Sequence, residues 1–576
     1  MMRSKLLSTV LSIGALTLVG CGGGGDSGTA VTDPVIVPTE IDVNVTITGD
    51  YQVESLGTAT TINTNVSVGN TPKSLYLVLS NSATTSATST ITHNAKVTTA
   101  AQSKTVSPAE VKDTPHILRH PQYVEDFNAQ IGTLLSKTEV DQFQAKTIAV
   151  PEKMEDIVGN RTTFYLSSDT SLPTSATARK VVSDGVITLN IWVSDDSYDE
   201  SGSGIQCQKV KCVTSVMVDE LANMFLMKDP NNDIYDWVTN VYGEEWGSDA
   251  ENKYSNLISD NNQITILLTD IPNREAPVYN TPNGGVIGFF WAKDNFIASS
   301  TDGTTGSNER VMFYIDSVMF ANGETTWSID DYWPKEVVST LAHEFQHMIH
   351  FYQKTILRIN ENTETWLNEM LSESTEDLVA TKIRHIGPRG VDYLDGSAGD
   401  PGNTLGRYPL FNENNTLSLT AWNGVLADYS KVNAFGAYLL RNYGGAQVLH
   451  DIMHNAYIDE NAVVYAVKKS PEGTGKTFSD LLSEWGIAVM LSDHIDLIDT
   501  PEYNTGDFTL STYNNSTYEL GSINFFNYDP LPTIQTTSGT VQPQGNYYYK
   551  IGDNVTGDFN ITLELNGQTE ATLIAK

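Results

Sequence analysis

The segment His343–His347 constrains this chain more than any other, because it reads H-E-F-Q-H. On a helix, His343 and His347 lie four residues apart on one face and can bind one metal ion together. Glu344 lies beside them and can polarise a metal-bound water. Glu369, 22 residues after His347, can supply a third protein ligand. Three protein ligands leave one position open for water, which is typical of a catalytic rather than a structural zinc site.

A second motif contains this third ligand. Residues 366–373 read W-L-N-E-M-L-S-E and follow a helical pattern. The pair H-E-x-x-H and W-L-N-E resembles the gluzincin zinc peptidases. A closer resemblance, over about residues 176 to 498, is to the hyicolysin family of bacterial secreted metallopeptidases. It is also supported by L-N-I-W-V at Leu189–Val193 and by S-N-E-R-V-M-F-Y-I-D-S at Ser307–Ser317.

The resemblance implies a role for each motif residue, and the chemistry supports each role. His343, His347 and Glu369 are expected to bind one Zn²⁺ per chain. Glu344 is expected to take a proton from water and later deliver it to the leaving amine. Glu373, one helical turn after Glu369, is expected to hold the far ring nitrogen of a histidine ligand, although a solvated helix charge would look the same in the sequence.

The developing oxyanion needs a hydrogen-bond donor besides the metal. Tyr429, in the segment D-Y-S-K, is the candidate because it resembles the Tyr-x-Lys entry to a later helix in aminopeptidase-like relatives. The sequence departs from that pattern because Val432, not glycine, follows the lysine. A buried tyrosine with a purely structural role would fit the same pattern. The rival donors are Tyr438, His450 and His454.

The chain start predicts export. A short basic stretch, Met1–Lys5, precedes the apolar run Leu6–Val19, which is too short to span a membrane. The run ends in L-V-G-C, which resembles a bacterial lipobox and implies cleavage before Cys21 and lipid attachment to it. A soluble secretory signal is the alternative. If the protein is a lipoprotein, we expect the lipid on Cys21 to anchor it to a membrane of the bacterial envelope, at the outer membrane or cell surface.

Composition adds limits on partners and on redox state. The net charge of −36 over 576 residues argues against nucleic-acid binding. Four residues separate Cys207 from Cys212, so a short disulfide loop is possible in an exported protein. Acidic clusters at 195–200 and 229–233 can bind Ca²⁺ through oxygen ligands, but solvated loops are the preferred interpretation.

The pattern along the chain predicts a multidomain protein in which small all-β modules flank a central α+β metallopeptidase domain of gluzincin type. The segment Gly284–Trp291 is predicted to contain an apolar strand flanked by glycines. This strand is either an edge strand that pairs with substrate or a simple core strand. The predicted boundaries are a signal peptide at 1–20, a flexible tether at 21–40, a β-sandwich-like module at 41–111, a linker or pro-segment at 112–165, the peptidase domain at 166–500 and a C-terminal β-module at 501–576.

The expected function is zinc metalloendopeptidase, acting on polypeptides as a secreted or envelope-anchored protein, with a monomer as the expected state. Two alternatives stay open. The first is a surface adhesion lipoprotein with an inactive peptidase-like domain, which gives no chemical reason for an intact set of four site residues. The second is a zinc aminopeptidase, which usually carries a G-x-M-E-N segment that this sequence lacks.

Overall fold

Two large β-sheets and a set of helices form the fold around the H-E-x-x-H segment. The computed structural model describes residues 39–96, 120–136, 156–167, 170–171, 173–199, 207–228, 232–272, 285–385, 406–495, 497–566 and 568–576. The predicted signal peptide, Cys21 and nearly all of the predicted tether lie outside the described residues. Among the described residues, no helix is both long and apolar enough to cross a membrane.

The described residues contain fifteen strands, numbered in chain order. They are β1 Glu40–Ile47, β2 Gln52–Gly57, β3 Thr61–Asn81, β4 Ala87–His93, β5 Arg161–Phe164, β6 Thr174–Ser183, β7 Thr188–Ser194, β8 Gln263–Thr269, β9 Gly288–Phe290, β10 Met312–Asp316, β11 Thr509–Tyr513, β12 Ser516–Leu520, β13 Ser538–Val541, β14 Gly545–Leu565 and β15 Thr569–Ala575.

The same residues contain thirteen α-helices. They are α1 Gln122–Asn128, α2 Ile131–Ser136, α3 Ser215–Ala222, α4 Ile234–Tyr242, α5 Asp249–Lys253, α6 Ser317–Phe320, α7 Tyr332–His350, α8 Thr365–Val379, α9 Arg407–Asn414, α10 Leu426–Asn442, α11 Ala446–Met453, α12 Glu460–Val467 and α13 Phe478–Met490. Segments of π-helix extend α3 over Asn223–Met227 and α7 over Phe351–Ile359, and short 3₁₀ turns occupy Ala292–Asn295 and Phe525–Asn527.

The first sheet joins the two ends of the described chain. Its strand order is β13-β4-β14-β3-β15-β2, with β1 paired to β3 in parallel. The long strands β3 and β14 are antiparallel and place Val66 opposite Phe559 and Leu79 opposite Tyr547. Apolar side chains from both ends form one shared cluster. The described residues from Thr39 onward therefore form one compact unit.

This arrangement differs from the two separate modules expected at 41–111 and 501–576. Alternating apolar residues predict that a segment is a strand, but they do not say which strand it pairs with. Two partners of β3, the strands β14 and β15, lie almost 500 residues further along the chain, so no local pattern could reveal them. The mixed α+β architecture itself is as expected.

The second sheet positions the metal motif. Its order is β5-β6-β7-β8-β10-β9, in which β7, β8 and β10 run parallel and β9 is antiparallel to β10 at one edge. The parallel strands β7 and β8 are buried almost throughout, as expected for strands covered on both faces. Helix α7 packs against β9 and β10. The segment predicted as a Gly-flanked strand is thus the edge strand beside the metal-motif helix.

Candidate metal centre

Helix α7 fixes the two histidines because its apolar stripe is fully buried. Val338, Leu341, Phe345 and Met348 are at most 1 % exposed and recur at three- and four-residue steps. This stripe sets the rotation of the helix, so His343 and His347 face α8 and the interior of the cleft. Their Nε2 atoms lie 3.1 Å apart, and both side chains are nearly fully buried.

Glu369 completes the arrangement from α8. Its Oε2 atom lies 3.4 Å from Nε2 of His343 and 3.5 Å from Nε2 of His347. Tetrahedral zinc with bonds of about 2.0 to 2.1 Å separates neighbouring ligand atoms by about 3.3 to 3.4 Å. The three observed separations match that geometry. A cation at their centre would also satisfy Oε2 of Glu369, a buried atom that accepts no hydrogen bond within the described residues.

The other ring nitrogens are held by residues of α8. Nδ1 of His343 lies 2.8 Å from Oε1 of Glu376, and Nδ1 of His347 lies 3.1 Å from Oγ of Ser372 and 3.2 Å from Oδ1 of Asn368. When Nδ1 of each ring donates to these oxygens, Nε2 presents its lone pair. Both lone pairs then meet at one point, as a shared metal ion requires.

The residue that bonds Nδ1 of His343 is not the one predicted from the sequence. Glu376, not Glu373, bonds the histidine, and its second oxygen accepts a hydrogen bond from Ser339 at 2.9 Å. The hydrogen bonds show the reason: α7 and α8 run antiparallel, so Ser372 meets His347 and the next turn of α8 meets His343. Burial alone would raise the pKa of Glu376, but the hydrogen bond from His343 holds it below its ordinary value.

Glu373 instead belongs to a buried ion pair. Its oxygens accept hydrogen bonds from Nε and an Nη atom of Arg407, at 2.8 to 3.1 Å, and from Nδ2 of Asn433 at 2.9 Å. Arg407 begins α9 and Asn433 lies on α10. Burial raises the pKa of Glu373 despite the neighbouring guanidinium. The residue therefore ties three helices together behind the metal centre.

Glu344 is oriented by the edge strand. Its Oε2 atom accepts a hydrogen bond from the backbone N–H of Phe290 at 2.8 Å, and the side chain is fully buried. Burial would raise its pKa, but the charge of His120 is the strongest of several influences that lower it overall. The carboxylate is therefore ionised at neutral pH, as a proton acceptor must be.

Tyr429 lies on α10 beside Trp422, a residue of the cleft next to the metal centre. Its ring is buried, packs 4.9 Å from the ring of Trp422 at the cleft wall, and has a hydroxyl without a hydrogen-bond partner in the described part of the chain. Burial raises its pKa well above the ordinary value, and the charge of Glu369 adds to the rise. The hydroxyl is therefore protonated and can donate to a group that enters the cleft.

The rival donors are engaged elsewhere. The hydroxyl of Tyr438 donates to Glu484 at 3.2 Å. Nδ1 of His450 donates to the backbone oxygen of Val241, and Nδ1 of His454 donates to the backbone oxygen of His450, both at 2.8 Å. None of the three lines the cleft described below. Tyr429 does not line the cleft either, but its ring packs against the lining residue Trp422 and its hydroxyl has no hydrogen-bond partner among the described residues.

His120 is a residue of the site that the sequence interpretation missed. Its Nε2 lies 3.2 Å from Oε1 of Glu344, and its Nδ1 lies 3.5 Å from Oε1 of Glu369. Its ligand nitrogen falls within 4.8 Å of those of His343 and His347, so the three histidines could hold one metal ion. Burial lowers the pKa of His120, but the charges of Glu344 and Glu369 outweigh it and raise that pKa to about 9.

No sequence signal marked this histidine. It precedes Pro121 outside any periodic pattern, and it is more than 220 residues from the motif that it contacts. It opens onto a cleft of about 380 Å³ beside the metal centre. Residues that line this cleft include His120, Ile131, Phe290, His347, Asn368 and Trp422.

Two other predicted features have plain structural outcomes. Cys207 and Cys212 are disulfide-bonded. At the first acidic cluster, Asp195 accepts hydrogen bonds from Arg161 and Thr177, and Asp196 pairs with Lys209, an arrangement that neutralises both carboxylates. The groups of described residues able to hold a metal ion all include His343, so none lies at this cluster. The second cluster lies mostly outside the described residues.

Comparisons with known proteins identify the family of this chain. The family model Peptidase M30 matches residues 169–540, and the chain belongs to that family. The neutral metalloprotease ShpI of Staphylococcus hyicus is 23 % identical over 249 residues, which are 40 % of this chain and 50 % of that protein. The chain thus spans about half the length of this curated relative. These matches confirm the hyicolysin-like family expected from the motifs. His120 lies outside the matched region.

Proposed function

We propose that this protein is a zinc metalloendopeptidase of gluzincin type. The observation that carries the proposal is the set of ligand separations among His343, His347 and Glu369, which match a tetrahedral zinc site with one position left for water. When bound, zinc would polarise the scissile carbonyl and lower the pKa of the attacking water. All three ligands and their supporting hydrogen bonds come from two adjacent helices.

Glu344 acts as the general base. It takes a proton from the attacking water and later delivers that proton to the nitrogen of the leaving amine. The hydrogen bond from the N–H of Phe290 occupies Oε2 and holds the carboxylate in position. Proton transfer then uses Oε1, the oxygen that His120 contacts in the described structure. Tyr429 donates its hydroxyl proton in a hydrogen bond to the oxyanion as the carbonyl becomes tetrahedral.

The substrate is an extended polypeptide. Strand β9 is the edge strand of its sheet and contributes Phe290 to the cleft wall, so a peptide strand can add to this edge beside Glu344. Binding through backbone hydrogen bonds needs no free terminus, which favours internal cleavage. The missing G-x-M-E-N segment also argues against an aminopeptidase.

Internally quenched peptides with free or acetylated N-termini separate these possibilities. The chain from Gly22 onward keeps every described residue and is the protein to assay. We expect both peptides to be cut internally at similar rates. Glu344→Gln should lose at least about a hundredfold in kcat, whereas the exposed control Glu472→Gln should not. Cleavage of the free peptide alone, one residue at a time, would indicate an aminopeptidase. Activity retained in Glu344→Gln would contradict the assigned base.

Attachment of Cys21 to an envelope membrane is a separate proposal, supported by the lipobox-like sequence L-V-G-C at the end of the apolar run. The full chain, expressed in a bacterium, should fractionate with membranes, and Cys21→Ser should release it. Membrane association that is unchanged in Cys21→Ser would exclude the lipid anchor while leaving the peptidase proposal intact. An adhesion role is the rival whole-protein function, and it predicts no Glu344-dependent cleavage of any peptide.

A further inference from the structure

His120 stands where a substrate carbonyl or attacking water must come. Its Nε2 contacts Oε1 of Glu344, the oxygen on the cleft side, while Oε2 is already held by Phe290. Its ring centroid is 5.1 Å from that of His347, and its ligand nitrogen lies within 4.8 Å of those of His343 and His347. Both oxygens of the proposed base are thus engaged, and no room is left for water between Glu344 and His120.

The helix that follows His120 covers the edge strand. The ring of Tyr123 packs 5.1 Å from that of Trp291 and 6.3 Å from that of Phe289. Phe127, one turn further, contacts Trp291 at 6.3 Å. Val124, between them, is fully buried in the same cluster. Helix α1 therefore packs on the strand that we expect to pair with substrate.

The far end of the same segment contacts the chain just before α8, where Asn362 lines the cleft. The backbone oxygen of Asn128 accepts a hydrogen bond from Nδ2 of Asn362 at 2.7 Å. Gly132 lies so close to Glu361 that an added Cβ would come within 3.2 Å of its Cα. Leu135 in α2 is fully buried in the main core. Residues 120–135 thus contact both the edge strand and the chain just before α8, and His120 lines the cleft beside them.

From these contacts we propose that residues 120–135 form an inhibitory segment in which His120 is the fourth protein ligand of the metal. The described chain is then a latent form whose open coordination position is filled from within. The segment lies outside residues 169–540, the part that the family model matches. This inference rests on the proposed zinc site and gives the undecided linker at 112–165 a function.

X-ray absorption of the zinc-loaded protein tests the ligand count without any substrate. We expect three imidazole ligands in the wild type, two in His120→Ala, and three in the control His494→Ala, a histidine that contacts Asp493 in the C-terminal half. If the wild type and His120→Ala both show two imidazole ligands, the proposal is overturned. Absence of bound zinc from all three proteins would instead refute the proposed zinc site itself.

Peptide cleavage supplies the second readout. If the open form is a 1–10 % population, His120→Ala should raise kcat/KM by about tenfold to a hundredfold. Adding Glu344→Gln should abolish the gained activity, which shows that the activated enzyme uses the proposed base. If His120→Ala lowers kcat and the remaining activity still depends on Glu344, His120 takes part in catalysis. That result would overturn the inhibitory role of the segment but not the proposed peptidase activity.

A second variant covers the case in which His120→Ala folds poorly. Phe127→Ser removes a contact with Trp291, the residue after the edge strand β9, and leaves every metal ligand in place. It should loosen the segment and raise activity in the same direction, by a smaller factor. A correctly folded Phe127→Ser protein, judged by circular dichroism, with unaltered kcat/KM and unaltered exchange of zinc into a chelator would contradict the proposal.

Discussion

Nδ1 of His343 lies 2.8 Å from Oε1 of Glu376, a carboxylate two helical turns beyond the proposed ligand Glu369. Helix α8 thus supplies both a direct contact to the metal position and the group that orients a histidine ligand from α7. Loss of such an orienting carboxylate typically weakens metal binding by about 10- to 100-fold. We therefore expect Glu376→Gln to bind zinc that much more weakly, measured by competition with a coloured chelator.

Glu373→Gln is the matched comparison, one turn earlier on the same helix. It leaves the buried guanidinium of Arg407 without its carboxylate partner, and breaking such a pair costs about 3 to 5 kcal/mol. We expect a loss of that order in the free energy of unfolding, measured by denaturant titration, with a much smaller change in zinc affinity than Glu376→Gln shows. If Glu373→Gln weakens zinc binding more than Glu376→Gln does, Glu373 would be the group that supports a histidine ligand, as the sequence predicted.

The difference between these two glutamates shows what a sequence can and cannot predict. Spacing along one helix tells which residues share a face, and it correctly placed His343 and His347 together. Glu369 lies on another helix, and it was included because W-L-N-E resembles the gluzincin motif. Whether Glu373 or Glu376 then meets a histidine depends on how α7 and α8 cross, and the spacing within either helix does not contain that angle.

Contacts between distant parts of the chain were even harder to predict from the sequence. His120 reaches the site from a segment without periodicity, and β3 pairs with β14 across almost the whole chain. Contacts of this kind are decided by tertiary packing rather than by local propensity. The buried strands β7 and β8 and the amphipathic helix α7 were predictable because their burial imposes a pattern on consecutive residues.

Tyr429→Phe tests the proposed oxyanion donor. Removing one such donor typically lowers kcat by about 10²- to 10³-fold. Because the hydroxyl acts on charge that develops in the transition state, KM should change little. Steady-state kinetics on a quenched peptide would show this split. Tyr438→Phe is the control, since its hydroxyl bonds Glu484 and should affect stability without lowering kcat. A larger kcat loss in Tyr438→Phe would reverse the assignment.

His454 gives the protein a stability that depends on pH. Burial lowers its pKa to about 4, against 6.5 in the unfolded chain. The unfolded state therefore binds a proton first as the pH falls, so stability decreases between pH 6.5 and pH 4 and is independent of this group above pH 6.5. His454→Gln should flatten that part of a stability–pH curve, measured by urea unfolding, and leave kcat at pH 7.5 unchanged. A steeper curve in the variant would contradict the assigned direction.

The most direct test compares zinc content and peptide cleavage in the wild-type protein and Glu344→Ala, both beginning at Gly22. We predict about one zinc per chain in each protein, as expected for a site whose ligands are His343, His347 and Glu369, together with cleavage that depends on Glu344. Because His120 can hold the wild type latent, the same comparison is repeated with His120→Ala in both proteins. Zinc-free protein, or cleavage that persists without Glu344, would contradict the account.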